Sequence, residues 1–412
     1  MARTTASAGV LEAAALAAEH LDLLVLGAAR DVHTSVSDRV HLVLDRVAGG
    51  PVLAHRVHDG IATGVYAGIG LGLRAAATGL RHADRLGLGP AIDDGARGRF
   101  VVSAVNGLIG DRLLADGSPL AIEIGVRRDG RDVPLTPAGL AAAYPDASDA
   151  LVVFVHGLCE TESYWDRSSR PRRADGTTAT SYGARLAADE GWSPVFVRAN
   201  TGLTLTEGGV ALSSLLSRLV AAWPTEVRRI ALVGHSMGGL LARAALAVTL
   251  DSEAPWTERV TDVVTLGTPH TGSPVERNIA RGVRFAARAP ELLPFARIFE
   301  QRSAGVLDLH DGMPEDARAV PQARYHLVAA TLSRSERHPV AATVGDTLVP
   351  YRSAVGLLPG GEELFPGADV LHIPNAHHFD LLNHDDVYAA LRSWLARTSS
   401  AQAPDPDGDH HE

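Results

Sequence analysis

The chain has 412 residues, of which 46% are hydrophobic and 21% charged, and its formal net charge at pH 7 is −10. This composition is typical of a globular protein with a sizeable core, and the length allows a large catalytic domain with an additional region. The acidic balance argues against a nucleic-acid partner, because phosphate binding requires a clustered positive surface. The single cysteine, Cys159, excludes an intrachain disulfide and fits a reducing compartment.

Residues 1–115 are expected to form a helical accessory region. Its apolar segments are Val10–Leu26, Val36–Val47 and Val57–Leu80. The last of these places glycines at four-residue intervals, at Gly60, Gly64, Gly68 and Gly72. Such a stripe indicates close helix packing or a peripheral contact with a membrane or lipid surface. The uncharged run is too short for a bilayer crossing, and no signal-peptide core is found. We therefore expect a cytoplasmic protein and leave membrane association open.

Residues 116–398 alternate short apolar runs with helical patterns, which predicts βαβ units in a mostly parallel sheet with helices on both faces. The predicted strands are Leu151–Val155, Val195–Val197, Ile230–Val233, Val263–Leu266, Tyr325–Ala330 and Val370–Ile373. Ile122–Val126 is interpreted as an antiparallel edge strand ahead of them. The Pro/Asp/His-rich segment 399–412 is expected to be a disordered tail.

The strongest functional signal is Gly-His-Ser-Met-Gly-Gly at residues 234–239, between a strand-like run and a helical pattern. A Gly-x-Ser-x-Gly motif in this context is typical of a nucleophile elbow. The serine of such an elbow occupies a strained turn, so the residues two before and two after it must lack bulk. Ser236 is therefore the predicted nucleophile.

A second motif, His156-Gly157-Leu158, follows the first predicted strand of the parallel series. In hydrolases with a nucleophile elbow, the loop at this place supplies one backbone donor of the oxyanion hole. We expect the N–H groups of Leu158 and Met237 to form that hole, and we interpret His156 as a side chain that shapes the loop. Cys159 has no elbow around it and is interpreted as a structural thiol.

A serine nucleophile requires a general base, and the base requires an orienting carboxylate. The chain order serine, acid, histidine favours Asp346, in a Gly-Asp turn, as the acid. His378 is the predicted base because it lies just ahead of the last helical pattern, and its neighbour His377 is the alternative. The remaining downstream candidates are Asp308, Asp311 and Asp369 for the acid and His372 and His384 for the base, the last two interpreted as surface residues.

These motifs, together with residues 265–273 (Thr-Leu-Gly-Thr-Pro-His-Thr-Gly-Ser) and 378–382 (His-Phe-Asp-Leu-Leu), resemble those of α/β-hydrolase-fold esterases and lipases. The resemblance is greatest to the group of the GPI inositol-deacylase (PGAP1-like) domain and covers about residues 150–397. It implies an α/β-hydrolase fold with a helical lid at about residues 274–320, and the predicted N-terminal helical region lies outside it. An amphipathic lid would favour an apolar acyl group, and an ordinary solvated helical insertion is the alternative interpretation of this segment.

The predicted activity is hydrolysis of a carboxylic ester, from a small molecule or a lipid, through an acyl-enzyme on Ser236. An acyltransferase with the same triad is one alternative. A lipid-surface-binding protein with an idle hydrolase domain is the alternative from another class. No metal and no nucleotide cofactor are expected, because the sequence has neither ligand-spaced clusters nor a phosphate-binding loop. The sequence leaves the oligomeric state open.

Overall fold

The computed structural model describes residues 96–167, 180–248, 255–272, 303–311, 320–337, 345–358 and 360–396, with a few positions between 9 and 86. Most of the predicted N-terminal helices, including Gly60, Gly64 and Gly68, lie outside the described residues. The same holds for most of the predicted lid and for the tail 399–412. In the part of the chain that is described, no helix is long and apolar enough to span a bilayer.

The strands of the described residues belong to one sheet. They are β1 (Gly125–Arg128), β2 (Arg131–Asp132), β3 (Ala150–Val155), β4 (Ser193–Arg198), β5 (Arg229–His235), β6 (Val260–Leu266), β7 (Arg324–Thr331) and β8 (Asp369–Pro374). Their order across the sheet is β2-β1-β4-β3-β5-β6-β7-β8. The six strands from β3 to β8 are parallel, whereas β1 pairs antiparallel with β2 and β4.

Helices connect these strands and cover both faces of the sheet. They are α1 (Ala96–Ala115), α2 (Pro137–Ala143), α3 (Tyr182–Glu190), α4 (Leu205–Ala222), α5 (Met237–Ala247), α6 (Ala304–Asp311), α7 (Tyr351–Ala354) and α8 (Asp385–Leu395). Within the described ranges, three short 3₁₀ helices span Glu162–Asp166, Trp256–Arg259 and His378–Leu381.

The core has two layers because the sheet is buried on both faces. In β3, Leu151, Val153 and Val155 belong to the cluster that also contains the apolar side chains of α4 and α5. The intervening residues Val152 and Phe154 belong to the opposite cluster, which includes those of α3 and α8. Since successive strand residues point to opposite faces, a continuous apolar run fills both layers.

This architecture confirms the predicted α/β-hydrolase fold, and all six predicted parallel strands are present. The prediction for Ile122–Val126 was wrong in two respects. The antiparallel strand begins only at Gly125, and β2 lies outside it at the edge of the sheet. Ile122 does not join the sheet because its N–H donates to the Asn106 side chain of α1 at 2.8 Å.

The chain order reverses beside β3, which lies between β4 and β5. In open α/β sheets, ligands bind in the crevice outside the carboxyl ends of the strands at such a point. The residues that follow β3 and β5 are His156 and Ser236. The topology therefore brings the two sequence motifs to one edge of the sheet.

Replacement of Phe154 by alanine tests the layer between the sheet and α3. The Phe154 side chain is 0% exposed, and its ring lies 4.9 Å from that of Trp165 and 5.0 Å from that of Phe196. We expect Phe154→Ala to lower the free energy of unfolding by about 3–5 kcal/mol, because it leaves a cavity among these rings.

Urea denaturation gives this value, and Val370→Ala is the control. Val370 is 50% exposed on β8, so its truncation should change the free energy of unfolding by no more than about 0.5 kcal/mol. Equal effects of the two variants would contradict the assignment of Phe154 to the core.

Candidate active site

Ser236 occupies the turn between β5 and α5 in a conformation that non-glycine residues seldom adopt, with φ 52° and ψ −124°. Its N–H donates to the carbonyl oxygen of Leu266 at 2.8 Å, and its own carbonyl accepts from Thr268 Oγ1 at 2.9 Å. Backbone strain of this kind persists only where the surroundings hold it. The end of β6 therefore fixes the elbow from outside.

The glycines of the elbow are required by close backbone approaches. A Cβ atom on Gly238 would overlap the carbonyl oxygen of Val155 at the end of β3, and one on Gly234 would overlap the backbone of Gly239. On the neighbouring loop, a Cβ atom on Gly157 would lie 3.0 Å from Ser236 Cβ. The loops after β3 and β5 are thus in van der Waals contact at the serine.

Two backbone N–H groups beside this contact have no acceptor within the described part of the chain, those of Leu158 and Met237. Leu158 follows Gly157, and Met237 is the first residue of α5. The first N–H groups of a helix have no intrahelical partner and carry partial positive charge. The predicted oxyanion-hole donors are therefore both available for a ligand atom.

Asp346 and His378 form a buried pair. His378 Nδ1 lies 2.7 Å from Asp346 Oδ2, and the His378 N–H donates to the Asp346 carbonyl oxygen at 3.0 Å. The second carboxylate oxygen, Oδ1, accepts from the N–H groups of Leu348 and Val349 at 3.0 and 2.8 Å. Both carboxylate oxygens are thus occupied, which fixes the orientation of the imidazole.

The His378 ring lies against the same loop that holds Ser236. Gly267 has φ 59°, and a Cβ atom on it would lie 3.0 Å from both Nδ1 and Cε1 of His378. Gly267 stands between Leu266 and Thr268, the two residues that bond to the Ser236 backbone. The short segment 266–268 at the end of β6 therefore contacts the predicted nucleophile and the predicted base.

The other candidates lie elsewhere. His377 is exposed, and its N–H donates to Asp380 Oδ2 at 2.8 Å. Of the other acids, Asp308 accepts from the Leu205 N–H, Asp369 pairs with His326, and Asp311 is the last residue of α6. Of the other histidines, His372 contacts Thr331 on the sheet, and His384 caps α8. Of the two adjacent histidines, only His378 is buried against a carboxylate.

The structure adds a second buried pair that the sequence reasoning missed. His235 Nδ1 lies 2.8 Å from Glu160 Oε1, and Glu160 Oε2 accepts from the Gly157 N–H at 2.7 Å. His235 Nε2 lies 3.3 Å from the carbonyl oxygen of His378, and the two imidazole rings are 4.7 Å apart. Glu160 and His235 thus join the loop after β3, the elbow and the predicted base.

Burial and charge act in opposite directions on this pair. Burial lowers the pKa of His235, but the Glu160 carboxylate outweighs it and brings the pKa above its ordinary value. Burial likewise raises the pKa of Glu160, yet the His235 imidazole brings it below its ordinary value. Both ring nitrogens of His235 face acceptor oxygens, which fits a doubly protonated imidazolium.

His156 and Cys159 have structural contacts, as expected. His156 is fully buried, its Nε2 accepts from the Ala199 N–H at 3.0 Å, and burial lowers its pKa. Burial raises the pKa of the Cys159 thiol to about 11, so it is not a thiolate at neutral pH. Among the described residues, no group of three or more His, Cys, Asp or Glu side chains has the arrangement of a metal site.

Residues 197–288 match the sequence model of the PGAP1-like alpha/beta domain. The chain is similar to that domain. This match confirms the resemblance drawn from the motifs, because it contains the elbow. A triacylglycerol lipase from Burkholderia plantarii is 30% identical over 154 residues, which are 35% of this chain and 36% of the lipase. The matched part is thus about a third of that relative's length.

The chain is also similar to solved structures of lipases and esterases, at lower sequence identity than to the Burkholderia lipase. A Bacillus licheniformis lipase is 21% identical, with a TM-score of 0.40 over 60% of this chain and 91% of the lipase. A Pyrococcus furiosus esterase is 17% identical, with a TM-score of 0.37 over 61% of this chain and 82% of the esterase.

Glu160→Gln tests the second buried pair. The change preserves shape but removes the counter-charge of His235, so we expect the free energy of unfolding near pH 6 to fall by about 3 kcal/mol. The raised pKa of His235 means that its stabilising contribution is full below the ordinary histidine pKa and is lost as pH rises through the folded-state value. The difference between wild type and variant should therefore shrink toward alkaline pH.

Chemical denaturation from about pH 5 to about pH 10 measures this difference, and Glu190→Gln is the matched control. Glu190 pairs with the largely exposed Arg392, so its replacement should change stability little at any pH. A deficit for Glu160→Gln that stays constant with pH would show that the pair is not ionised.

Proposed function

We propose that this protein is a serine carboxylic-ester hydrolase in which Ser236 is the nucleophile, His378 the general base and Asp346 the residue that orients the base. Leu158 and Met237 donate their backbone N–H groups to the oxyanion. The reaction proceeds through an acyl-enzyme, which water hydrolyses.

The observation that carries this proposal is the buried contact of 2.7 Å between His378 Nδ1 and Asp346 Oδ2. An ionised aspartate at Nδ1 leaves Nε2 as the nitrogen that accepts a proton, because the Nδ1 proton is engaged. The ring also lies against Gly267, in the segment bonded to the Ser236 backbone. A base of fixed tautomer whose ring packs on the segment that holds a strained serine supports a role in acyl transfer.

In the first half of the reaction, Ser236 Oγ attacks the ester carbonyl carbon as its proton passes to His378 Nε2. Negative charge then develops on the former carbonyl oxygen. The N–H groups of Leu158 and Met237 stabilise that charge, and the loss of one such donor lowers the rate by about 10²–10³-fold. His378 then gives the proton to the leaving alcohol, and the acyl group remains on Ser236.

In the second half, His378 Nε2 takes a proton from a water molecule as that water attacks the carbonyl carbon of the acyl-enzyme. The bond from this carbon to Ser236 Oγ then breaks, His378 returns the proton to Ser236 Oγ, and the carboxylic acid leaves. Asp346 stabilises the imidazolium in both halves without taking the proton. The ring does not need to turn between the two steps, because Nδ1 stays bonded to Asp346.

An apolar acyl group is the substrate feature we propose. A matched relative is a triacylglycerol lipase, and the acyl groups of triacylglycerols are apolar. In this chain Leu307 of α6 is 53% exposed, and Leu348, two residues after Asp346, is 37% exposed. These exposed side chains offer apolar surface to an acyl chain.

Hydrolysis of p-nitrophenyl esters from acetate to palmitate tests the proposal. We expect Ser236→Ala and His378→Ala to lower kcat by about 10⁴-fold or more and Asp346→Asn by about 10³–10⁴-fold, because the three groups act as a unit. The chain length with the highest kcat/KM reports the size of the acyl pocket.

His377→Ala is the matched control, since the exposed neighbour should retain kcat within about twofold. Activity that is lost in His377→Ala and kept in His378→Ala would reverse the assignment of the base. A wild type inert on every ester would contradict ester hydrolysis. Product formed only after an alcohol or thiol acceptor is added would instead identify an acyltransferase with the same triad.

A further inference from the structure

Helix α1 lies outside the part of the chain that resembles hydrolases, yet its backbone contacts the loop after β3. A Cβ atom on Gly107 would overlap Cys159 Sγ and would lie 3.0 Å from the Cys159 backbone nitrogen. Cys159 Sγ in turn lies 3.7 Å from the carbonyl oxygen of Ala104. The helix is therefore in direct contact with the residue that follows Leu158.

The loop itself has an unusual conformation at this contact. The Glu160 N–H donates to the Gly157 carbonyl oxygen at 3.2 Å, which makes residues 157–160 a β-turn. Its third residue, Cys159, has φ 61°. Glycine and asparagine are preferred at such a position because a Cβ atom makes positive φ unfavourable. Contacts from outside the turn must hold the cysteine in place.

One of those contacts comes from the loop after β4. The Cys159 N–H donates to Thr201 Oγ1 at 3.2 Å. That loop is also bonded to α1, since the Asn200 side chain donates to the Gly110 carbonyl oxygen at 3.1 Å. A Cβ atom on Gly202 would overlap the Asn106 carbonyl oxygen. The kink of α1 at Ile109 falls between the turns that make these contacts.

Helix α6 and the residue before it contact α1 at Gly107 and Asp111. Ser303 Oγ donates to the Gly107 carbonyl oxygen at 2.7 Å, and the Ala304 N–H donates to Asp111 Oδ2 at 3.1 Å. A Cβ atom on Gly305 would lie 3.1 Å from Met237 Cε. Helices α1 and α6 therefore touch the neighbourhood of both N–H groups assigned to the oxyanion hole.

We propose that α1 is a positioning element of the oxyanion hole, in which Gly107 holds the turn at residues 157–160 so that the Leu158 N–H faces the reacting oxygen. The inference rests on the ester hydrolysis proposed above. It makes the N-terminal extension part of the catalytic unit. A shift of Cys159 changes the orientation of the turn that carries Leu158, whereas the contact between His378 and Asp346 involves no residue of that turn.

Gly107→Ala tests this role, because the added methyl group must displace Cys159. We expect kcat on p-nitrophenyl butyrate to fall about tenfold or more with KM within about twofold, since the oxyanion forms only in the transition state. The inhibition constant of an alkyl trifluoromethyl ketone, whose hemiketal oxyanion occupies the hole, should rise in proportion to the loss of kcat/KM.

Two further variants separate positioning from general damage. Gly107→Ala combined with Cys159→Gly should recover most of the lost kcat, because glycine accepts positive φ and lacks the overlapping Sγ. Gly79→Ala is the matched control, since Gly79 lies in a helical stretch ahead of α1 and a Cβ atom on it would meet no atom within 4 Å. It should leave kcat and KM unchanged.

If Gly107→Ala does not fold, as judged by circular dichroism, Thr201→Val decides by the same kinetic criteria. This change keeps the shape of the side chain and removes the acceptor of the Cys159 N–H. A folded variant with wild-type kcat and ketone affinity would overturn the positioning role and leave the esterase proposal intact. A wild type without activity on any ester would overturn both.

Discussion

The carboxyl ends of β3 and β5 lie so close together that the turns after them require glycine wherever they touch. Gly238 packs on the carbonyl oxygen of Val155, and Gly157 packs on Ser236 Cβ. This approach fixes the serine in positive φ at the head of α5, with the N–H of Met237 beside it. Without it, Ser236 and Leu158 would have no fixed relation, and the residues after β6 would have no elbow to support.

Around this contact, buried polar groups join turns that are distant in sequence. Glu160 bonds the loop after β3 and pairs with His235 of the elbow, and His235 contacts the carbonyl oxygen of His378. His378 in turn pairs with Asp346. Charges in such a dry setting interact strongly, and each is tolerated only while its partner is in place. These contacts therefore hold the loop after β3, the elbow and the loop of His378 to one another.

The parts of this site that the sequence predicts are those encoded by adjacent residues. The elbow at Ser236 can be predicted because its glycines, strand and helix follow one another directly in the sequence. The six parallel strands can be predicted because a strand that is buried on both faces has a continuous run of apolar residues. Asp346 and His378 followed from chain order and turn context, and the structure brings them into contact although 32 positions separate them.

The parts that escaped prediction depend on contacts between distant segments. Glu160 and His235 are 75 positions apart, and no sequence motif indicates that they pair. The start of β1 was misplaced because Asn106, 16 positions earlier, holds Ile122 away from the sheet. The role of Gly107 could not be predicted from the sequence, because a single glycine in a helix does not indicate which residue packs against it. The structure shows that this residue is Cys159.

The most direct test of the account is covalent labelling with an alkyl fluorophosphonate, followed by mass spectrometry of the labelled peptides. The account predicts one adduct, on Ser236, formed at a rate that falls steeply in His378→Ala and stays near the wild-type rate in His377→Ala. Such a result would establish both the nucleophile and its base without knowledge of the natural substrate. An adduct on another residue, or a Ser236 adduct whose rate is unaffected by His378→Ala, would contradict the account.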